Sequence, residues 1–363
     1  MTAPAKTSFL RFTHTLVRLE VEDGARAAFE PVLAFFRHSV ADAAAGWSFS
    51  VRVSAHDPAK LERARDGGEP VAIRRSSAPE FDIPIWRRRT AGGWLFANER
   101  ISIEAPVACV GRGEAFALGV GPGSTIHAIE FLRDLVIRHE ELRGTVVLHA
   151  SAVGDGAGVV AIAGAKAAGK TTTLLSAARE PGWRYFSGDK LFCAPADGAV
   201  ACRPWRDWPY VGLGTARSNP DLLRLVEAET GGGLDGRGDR DKVLLDPERF
   251  ERWIGADFRD EPLPLAGLLL PAVAPGSQSR VRAVEDPGER WLLVNQVVER
   301  SCDTTFFTWQ SYLAPDYAAV YAQLRAMRPA IEATPTFELA GDVAALAPEV
   351  LRKLEARRSA PAP

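Results

Sequence analysis

The sequence predicts an α/β protein, in which a mixed sheet with flanking helices follows an N-terminal α+β domain. The 363 residues are 46% apolar, enough for a sizeable core and for two or three structural units. Near the middle of the chain, an apolar run, a glycine-bearing loop and a helical segment follow one another. We therefore divide the chain into residues 1–120, residues 121–355 and a flexible tail at 356–363.

The composition argues against several classes of protein. Charged residues make up 25% of the chain and the formal net charge is −2, so nucleic acid is not an expected partner. The longest apolar run, residues 263–274, contains two prolines and is shorter than the roughly 20 residues that span a membrane. No signal-peptide pattern is found at the start. Four cysteines without a CxxC pair favour neither zinc nor disulfides, and we expect a reduced, cytoplasmic protein: Cys109, Cys193, Cys202 and Cys302.

Residues 1–120 combine strand and helix patterns. Alternating apolar residues predict strands at 13–22 and 47–55. Between them, apolar residues at helical spacing predict a helix capped by Asp23. Residues 83–106 predict a hairpin that turns at 91–93. This block contains no catalytic cluster, and by exclusion we assign it to acceptor recognition or dimerisation.

A second group of elements surrounds the glycine-bearing loop. An apolar face predicts a helix from Ser124 to about Gly144, followed by a buried strand at 145–153. A short turn leads to a second strand at 159–163, then to the loop and to a helix at 171–180.

The remaining residues alternate between strands and loops. Residues 184–194 predict a strand interrupted by an acidic turn. Residues 203–220 and 231–241 predict loops, the first rich in arginine and aromatic residues and the second in glycine and charge. The final third predicts strands at 266–273, 279–285 and 290–300 and helices near 316–328 and 342–355.

The loop itself matches the phosphate-binding pattern G-x-x-x-x-G-K-[ST]. Small residues allow backbone N–H groups to surround a β-phosphate, Lys170 supplies a charge to the β and γ oxygens, and Thr171 supplies a hydroxyl to Mg²⁺. Lys166 either adds a second phosphate contact or is solvated. We expect the nucleotide to contact the following residues: Gly164, Ala165, Lys166, Ala167, Ala168, Gly169, Lys170, Thr171 and Thr172.

Other motifs narrow the class of phosphate-loop protein. An NKxD motif, an LSGGQ signature and a long apolar strand ending in aspartate are missing from the sequence. His149 lies 15 residues before Gly164, and Asp189 lies 18 residues after Thr171. With the segments "LHAS" and "FSGDK" around them, this arrangement resembles the HPr kinase/phosphorylase family and its HPr-kinase-like relatives.

The resemblance implies a P-loop kinase core of the HPr kinase/PEP carboxykinase-like type. In that case Lys170 binds the β and γ phosphates, Thr171 and Asp189 hold Mg²⁺, Asp189 accepts the proton of the attacking hydroxyl, and His149 lies beside it. The sequence departs from the family at Gly188, which replaces the first residue of an Asp-Asp pair, and at Ala167, which replaces a common glycine.

One further family segment, EIRGIGIID, has only a faint counterpart in "YVGLGTARS" and no acidic residue in register, although Asp207 is a possible substitute. These departures make HPr an unexpected substrate. The cationic residues after Asp189 either bind an anionic target or form surface ion pairs with Asp207, Asp239 and Asp241: Arg203, Arg206, Arg217, Arg240 and Lys242. The neighbouring Trp205, Trp208 and Tyr210 either stack on a ligand or close the core.

Each of the two site residues also has an interpretation as a purely structural residue. His149 would be a core histidine within a buried strand, and Asp189 a helix cap or turn residue. Together with the loop, they instead favour an ATP- and Mg²⁺-dependent kinase that acts on a hydroxyl. The expected acceptor is a serine of a peptide or protein, as in relatives that modify precursor peptides, and homo-oligomers are expected as in the family. The alternatives are a small-molecule kinase and a catalytically silent nucleotide-binding regulatory protein.

Overall fold

The computed structural model describes residues 5–42, 46–73, 82–106, 114–165, 167–206, 208–256, 261–273, 278–299 and 317–359. Lys166, Asp207, Cys109 and Cys302 lie outside these residues. The chain forms two compact units, which among the described residues comprise 5–145 with 317–321 and 146–299 with 322–359. The expected boundary at 120/121 differs from this division, because the helix that follows it packs with the first unit's elements.

The first unit is a nine-stranded mixed sheet with helices. Strands β2, β4 and β9 are parallel neighbours within the order β3-β1-β2-β4-β9-β8-β7-β6-β5. Its strands are β1 (Lys6–Arg11), β2 (Leu16–Val21), β3 (Val40–Ala41), β4 (Phe49–Ala55), β5 (Glu69–Ile73), β6 (Ile83–Thr90), β7 (Gly93–Ala97), β8 (Ile101–Pro106) and β9 (Glu114–Val120); its helices are α1 (Arg26–Phe35), α2 (Pro58–Arg65) and α3 (Thr125–Leu142).

The second unit contains a second nine-stranded sheet and a two-stranded sheet. Its strands are β10 (Val146–Leu148), β11 (Ala150–Gly154), β12 (Val159–Ala163), β13 (Arg184–Ser187), β14 (Leu191–Ala196), β15 (Ala199–Pro204), β16 (Tyr210–Gly212), β17 (Lys242–Leu244), β18 (Leu263–Val273), β19 (Arg280–Ala283) and β20 (Thr336–Gly341). Its helices are α4 (Lys170–Ala177), α5 (Leu213–Arg217), α6 (Pro220–Thr230), α7 (Pro247–Ile254), α8 (Pro287–Gln296), α9 (Tyr317–Ala333) and α10 (Val343–Ser359).

Strand β18 organises the large sheet of the second unit. It runs parallel to β12 on one side and to β20 on the other, and its first residues pair with β15. Leucines and valines of β12, β18 and β20 bury their side chains against α4 and α10. The carboxyl ends of three parallel strands therefore meet at one edge, the position where open α/β sheets bind ligands.

Several predictions of elements are confirmed. The mixed α/β class with large mixed sheets and flanking helices is present, and so are the hairpin β6–β7, helix α3 and the strand–loop–helix order around α4. No helix among the described residues is long and apolar enough to cross a membrane.

Several predictions of elements are wrong. Residues 290–296, predicted as the first part of a strand, are helical: α8 begins at Pro287, and the Asp286 side chain accepts a hydrogen bond from the Glu289 N–H, a helix-start signal that the apolar run obscured. Residues 203–220 are not one loop, since β16 and α5 lie within them. Asp23 does not cap α1, whose N-cap residue is Ala25.

Candidate functional site

The glycine-bearing loop connects β12 to α4 at the carboxyl edge of the sheet. Gly169 has a φ of +101°, and a Cβ atom at this position would lie 2.2 Å from Cγ2 of Val273. The carbonyl of Ala168 accepts a hydrogen bond of 3.0 Å from the Val273 N–H, which ties the loop to the end of β18. Backbone conformation and packing therefore both require glycine before α4.

Ala167 is an unusual residue in this loop. Its φ of +65° places it in the left-handed region, where residues with a Cβ atom are strained. The chain therefore adopts the loop conformation despite an unfavourable residue.

Lys170 folds back over the start of the loop. Its Nζ atom donates to the carbonyls of Gly164 and Ala165, at 2.9 and 3.4 Å. Partial burial lowers the pKa of Lys170 and nearby Lys242 lowers it further, whereas the negative charge of Asp189 opposes both effects. The ammonium group thus lies within electrostatic range of Asp189 and of a second lysine.

The first turn of α4 presents hydroxyls and backbone N–H groups at the loop. Thr173 Oγ1 donates to the Gly169 carbonyl at 2.9 Å, and Thr172 Oγ1 lies 3.4 Å from Thr215 Oγ1 of α5. Within the described part of the chain, the Thr171 hydroxyl makes no hydrogen bond. Because N–H groups in the first turn of a helix lack helical partners, this end of α4 can bind an anion.

His149 lies at a break between two strands. The sequence predicts one buried strand here, but β10 ends at Leu148 and β11 begins at Ala150, and the two pair with different neighbours. The His149 N–H donates to the Val297 carbonyl at 2.8 Å. This break leaves 48% of the His149 side chain exposed, so the interpretation as a core histidine is wrong.

Asp189 occupies the turn between β13 and β14. Buried Ser187 accepts a hydrogen bond of 2.9 Å from the Trp205 N–H and donates to the Lys190 carbonyl, and Ser151 donates to the Gly188 carbonyl. These hydrogen bonds fix the backbone on both sides of Asp189. Gly188, which replaces an aspartate of the family, therefore takes part in the turn through its carbonyl alone.

His149 and Asp189 form a hydrogen-bonded pair. Nε2 of His149 lies 3.2 Å from Oδ1 of Asp189, and 54% of the Asp189 side chain is exposed. The partial loss of water around its carboxyl group raises the pKa of Asp189, but the His149 hydrogen bond and the charges of Lys190 and Lys170 outweigh this effect. The pKa of Asp189 is therefore well below its usual range, and the carboxylate is ionised at neutral pH.

A second glycine-containing segment, the junction of β16 and α5, lies next to the first turn of α4. Gly212 pairs with Lys242 in the β16–β17 ladder, and α5 follows directly with Thr215 in its first turn. Within the described residues, Lys242 forms no ion pair. The sequence indicates the segment "YVGLGTARS" and Lys242 as features of interest. It does not indicate Thr215 of that segment as a site residue, because a single threonine forms no motif.

Other predicted residues have structural roles. Arg206 pairs with Glu251 through two hydrogen bonds of 2.5 and 2.8 Å, and Arg217 pairs with Asp239. Trp205 is buried and stacks on Phe192 at a ring separation of 4.7 Å. Arg217 and Trp205 thus match the alternatives of ion pairing and core closure, whereas Arg206 pairs with a largely buried glutamate that the sequence did not indicate.

The arrangement also fits a magnesium ion accompanied by a nucleotide. Within the described ranges, no group of three or more histidine, cysteine, aspartate or glutamate side chains lies together as a preformed metal site. Mg²⁺ usually binds through one or two protein oxygens together with substrate phosphates and water. The Thr171 hydroxyl and the Asp189 carboxylate are oxygen donors of this kind.

A cavity of about 780 Å³ opens beside the pair and the loop, and His149, Gly164 and Ala165 are among its lining residues. Comparisons with known proteins give no further assignment: no protein-family model matches the chain, and no curated protein shows significant similarity to it.

Proposed function

We propose that this protein is an ATP- and Mg²⁺-dependent kinase with a P-loop core, which transfers the γ-phosphoryl group to a hydroxyl, with a serine of a peptide or protein as the favoured acceptor. The observation that carries the proposal is the hydrogen-bonded pair His149–Asp189 beside the loop that holds Lys170. A phosphate-binding loop alone supports nucleotide binding. The ionised carboxylate of Asp189, within electrostatic range of Lys170, also supports phosphoryl transfer.

In this proposal, some residues bind the nucleotide and Mg²⁺, and Asp189 accepts the proton. Loop N–H groups and Lys170 bind the β and γ phosphates, replacing the contacts that the ammonium now makes with loop carbonyls. Thr171 and Asp189 would hold Mg²⁺, which neutralises phosphate charge when bound. The acceptor oxygen bonds to the γ-phosphorus as the bond to ADP breaks, and Asp189 takes the hydroxyl proton.

The low pKa of Asp189 is compatible with this role. Phosphoryl transfer passes through a loose transition state, in which little proton removal is needed before the new bond forms. Alignment of the acceptor then matters more than the strength of the base. His149 supports this alignment, because its Nε2 holds the carboxylate in one orientation.

The wider setting belongs to the same proposal. A kinase that uses ATP fits a reduced, cytoplasmic location, and the free thiols of Cys193 and Cys202 are compatible with it. The N-terminal unit is proposed to recognise the acceptor or to form a homo-oligomer. A small molecule with a hydroxyl is the alternative acceptor.

One observation favours a second candidate function. Gly188 removes a carboxylate that the resembled family places beside Asp189. A weakened metal site would suit a regulatory protein that binds nucleotide without transferring phosphate.

An assay with γ-labelled ATP separates the two functions. Lys170→Ala should weaken binding of Mg-ATP, whereas Asp189→Asn should retain binding within about threefold and lose transfer by about 10²- to 10⁴-fold. Asp235→Asn, at an exposed position outside the site, is the matched control and should behave like the wild type. Nucleotide binding without transfer by the wild type to any serine peptide or hydroxy acid would support the regulatory function, and unchanged transfer in Asp189→Asn would refute the proposed base.

A further inference from the structure

The cavity beside the phosphate loop has a floor made of small side chains. Ala272 of β18 pairs with Ala340 of β20, and Ala340 pairs with Arg280 of β19. All three residues line the cavity. Successive side chains of a strand point to opposite faces, and the neighbouring Leu339 and Val281 pack into the core. The row Arg280–Ala340–Ala272 therefore faces away from the α4 and α10 layer.

This row of residues extends from Arg280 toward the phosphate loop. β18 is also paired with β12, and a Cβ atom on Gly164 would lie 3.4 Å from the Pro271 carbonyl. Arg280 is thus three strands away from the strand that precedes the loop. With a spacing of about 4.8 Å between strands, its backbone lies roughly 14 Å from that strand.

The other charged residues around the cavity are neutralised by partners. Arg282 donates to Glu338 at 2.7 Å and to Glu289 at 2.6 Å. Glu299 accepts from Lys190.

Arg280 differs from these residues. Within the described ranges it forms no ion pair, although its charge helps to lower the pKa of Glu338. Among the charged residues that line the cavity, Arg280 is therefore the cation without an ion-pair partner in the described ranges, and it lies at the end away from the His149–Asp189 pair.

The cavity lies next to the loop residues that Lys170 contacts and next to the partner of Asp189. Its lining includes His149, the partner of Asp189, and the loop residues Gly164 and Ala165, whose carbonyls contact the Lys170 ammonium. The Lys170 ammonium, the group expected to contact the β and γ phosphates of a bound nucleotide, therefore lies at the start of the loop, next to the cavity.

We propose that the cavity binds the acceptor, and that this acceptor is a hydroxyl compound that also carries a carboxylate, which Arg280 binds. This inference rests on the proposed kinase function. The planar guanidinium pairs with a carboxylate through two parallel hydrogen bonds, and the two alanines leave space for the body of the acceptor. The hydroxyl then lies near Asp189, and its carboxylate lies at the far end of the row.

Paired acceptors test the proposal. Short serine peptides with a free C-terminal carboxylate are compared with the same peptides as C-terminal amides, and short hydroxy acids with their amides. Transfer from γ-labelled ATP is measured together with Mg-ATP affinity by calorimetry. The wild type should prefer the carboxylate form in at least one of the two series by about 10- to 100-fold, the range expected for a charge-assisted hydrogen bond. The series that shows the preference identifies a peptide or a small molecule as the source of the carboxylate.

Two variants distinguish the cation from the cavity. Arg280→Gln should bring the ratio between carboxylate and amide close to one and leave Mg-ATP affinity unchanged. Ala340→Phe should obstruct the floor and reduce transfer to both forms, again with unchanged Mg-ATP affinity. Arg249→Gln, an exposed arginine on α7, is the matched control.

The outcomes also separate this inference from the proposed function. An equal rate for carboxylate and amide in the wild type, an unchanged ratio in Arg280→Gln, or Mg-ATP binding without transfer to any compound would overturn the inference. Absence of Mg-ATP binding would instead overturn the proposed kinase.

Discussion

Replacing Ala167 by glycine is expected to stabilise the protein, although the change removes a side chain. At a φ of +65°, a residue with a Cβ atom is less stable than glycine by about 1–2 kcal/mol. The new glycine also raises the conformational entropy of the unfolded chain, which costs about 0.5–1 kcal/mol. The balance predicts a free energy of unfolding that rises by up to about 1.5 kcal/mol.

Ala168→Gly is the matched control, one residue along the same loop. Ala168 lacks the positive φ of its neighbour, and its Cβ atom lies 3.3 Å from the position that a Cβ atom on Gly164 would take. This substitution carries the entropy cost without the relief of strain, so it should destabilise the protein by about 0.5–1 kcal/mol.

Urea unfolding of both variants, followed by circular dichroism without nucleotide, measures the two changes. The signs should be opposite. Equal loss of stability in Ala167→Gly and Ala168→Gly would refute the argument that the left-handed conformation of Ala167 is strained.

Three further predictions concern ionisation and packing. Burial, with help from nearby arginines, lowers the pKa of His139 from 6.5 to about 3. The unfolded state therefore takes up the proton first, and the free energy of unfolding should fall by up to about 1.4 kcal/mol per pH unit as pH drops from about 6.5 toward 3. Urea titrations at several pH values should show this slope, and His139→Gln should make the slope smaller. Gly169→Ala should lower the free energy of unfolding by at least about 1 kcal/mol, because the positive φ disfavours a Cβ atom. An unchanged midpoint of thermal denaturation would contradict this prediction. Trp183→Phe should cost about 1–3 kcal/mol, because it removes a 2.6 Å hydrogen bond from the buried indole to Glu355, and a double-mutant cycle with Glu355→Gln should show that the two costs do not add.

The order of elements around the glycine-bearing loop could be predicted from sequence because it depends on local signals. Glycine at 164 and 169, the lysine that follows and the apolar strand before them all lie within a short segment. The pairing of His149 with Asp189 was anticipated only through a resemblance. No local pattern indicates that a buried apolar run will break at its histidine.

Other features depend on contacts between distant segments. Residues 290–300 are apolar in succession, a pattern that a helix and a buried strand share, and only the Asp286–Pro287 start distinguishes them. Arg280 gave no signal because its position is defined by the register of β19, β20 and β18. Strand register over long separations is set by packing rather than by local sequence.

The support of the phosphate loop has a consequence for how the chain acquires its structure during synthesis. Helix α4 packs against α10, and Ser176 donates a hydrogen bond to the Ala344 carbonyl, 168 residues later. Strand β20, which pairs with β18, also belongs to this late segment. A nascent chain that has emerged only as far as α8 contains the complete loop sequence but lacks α10 and β20. We therefore expect the loop to reach its folded conformation late in translation. Until then the edge of β18 is exposed and accessible to chaperones.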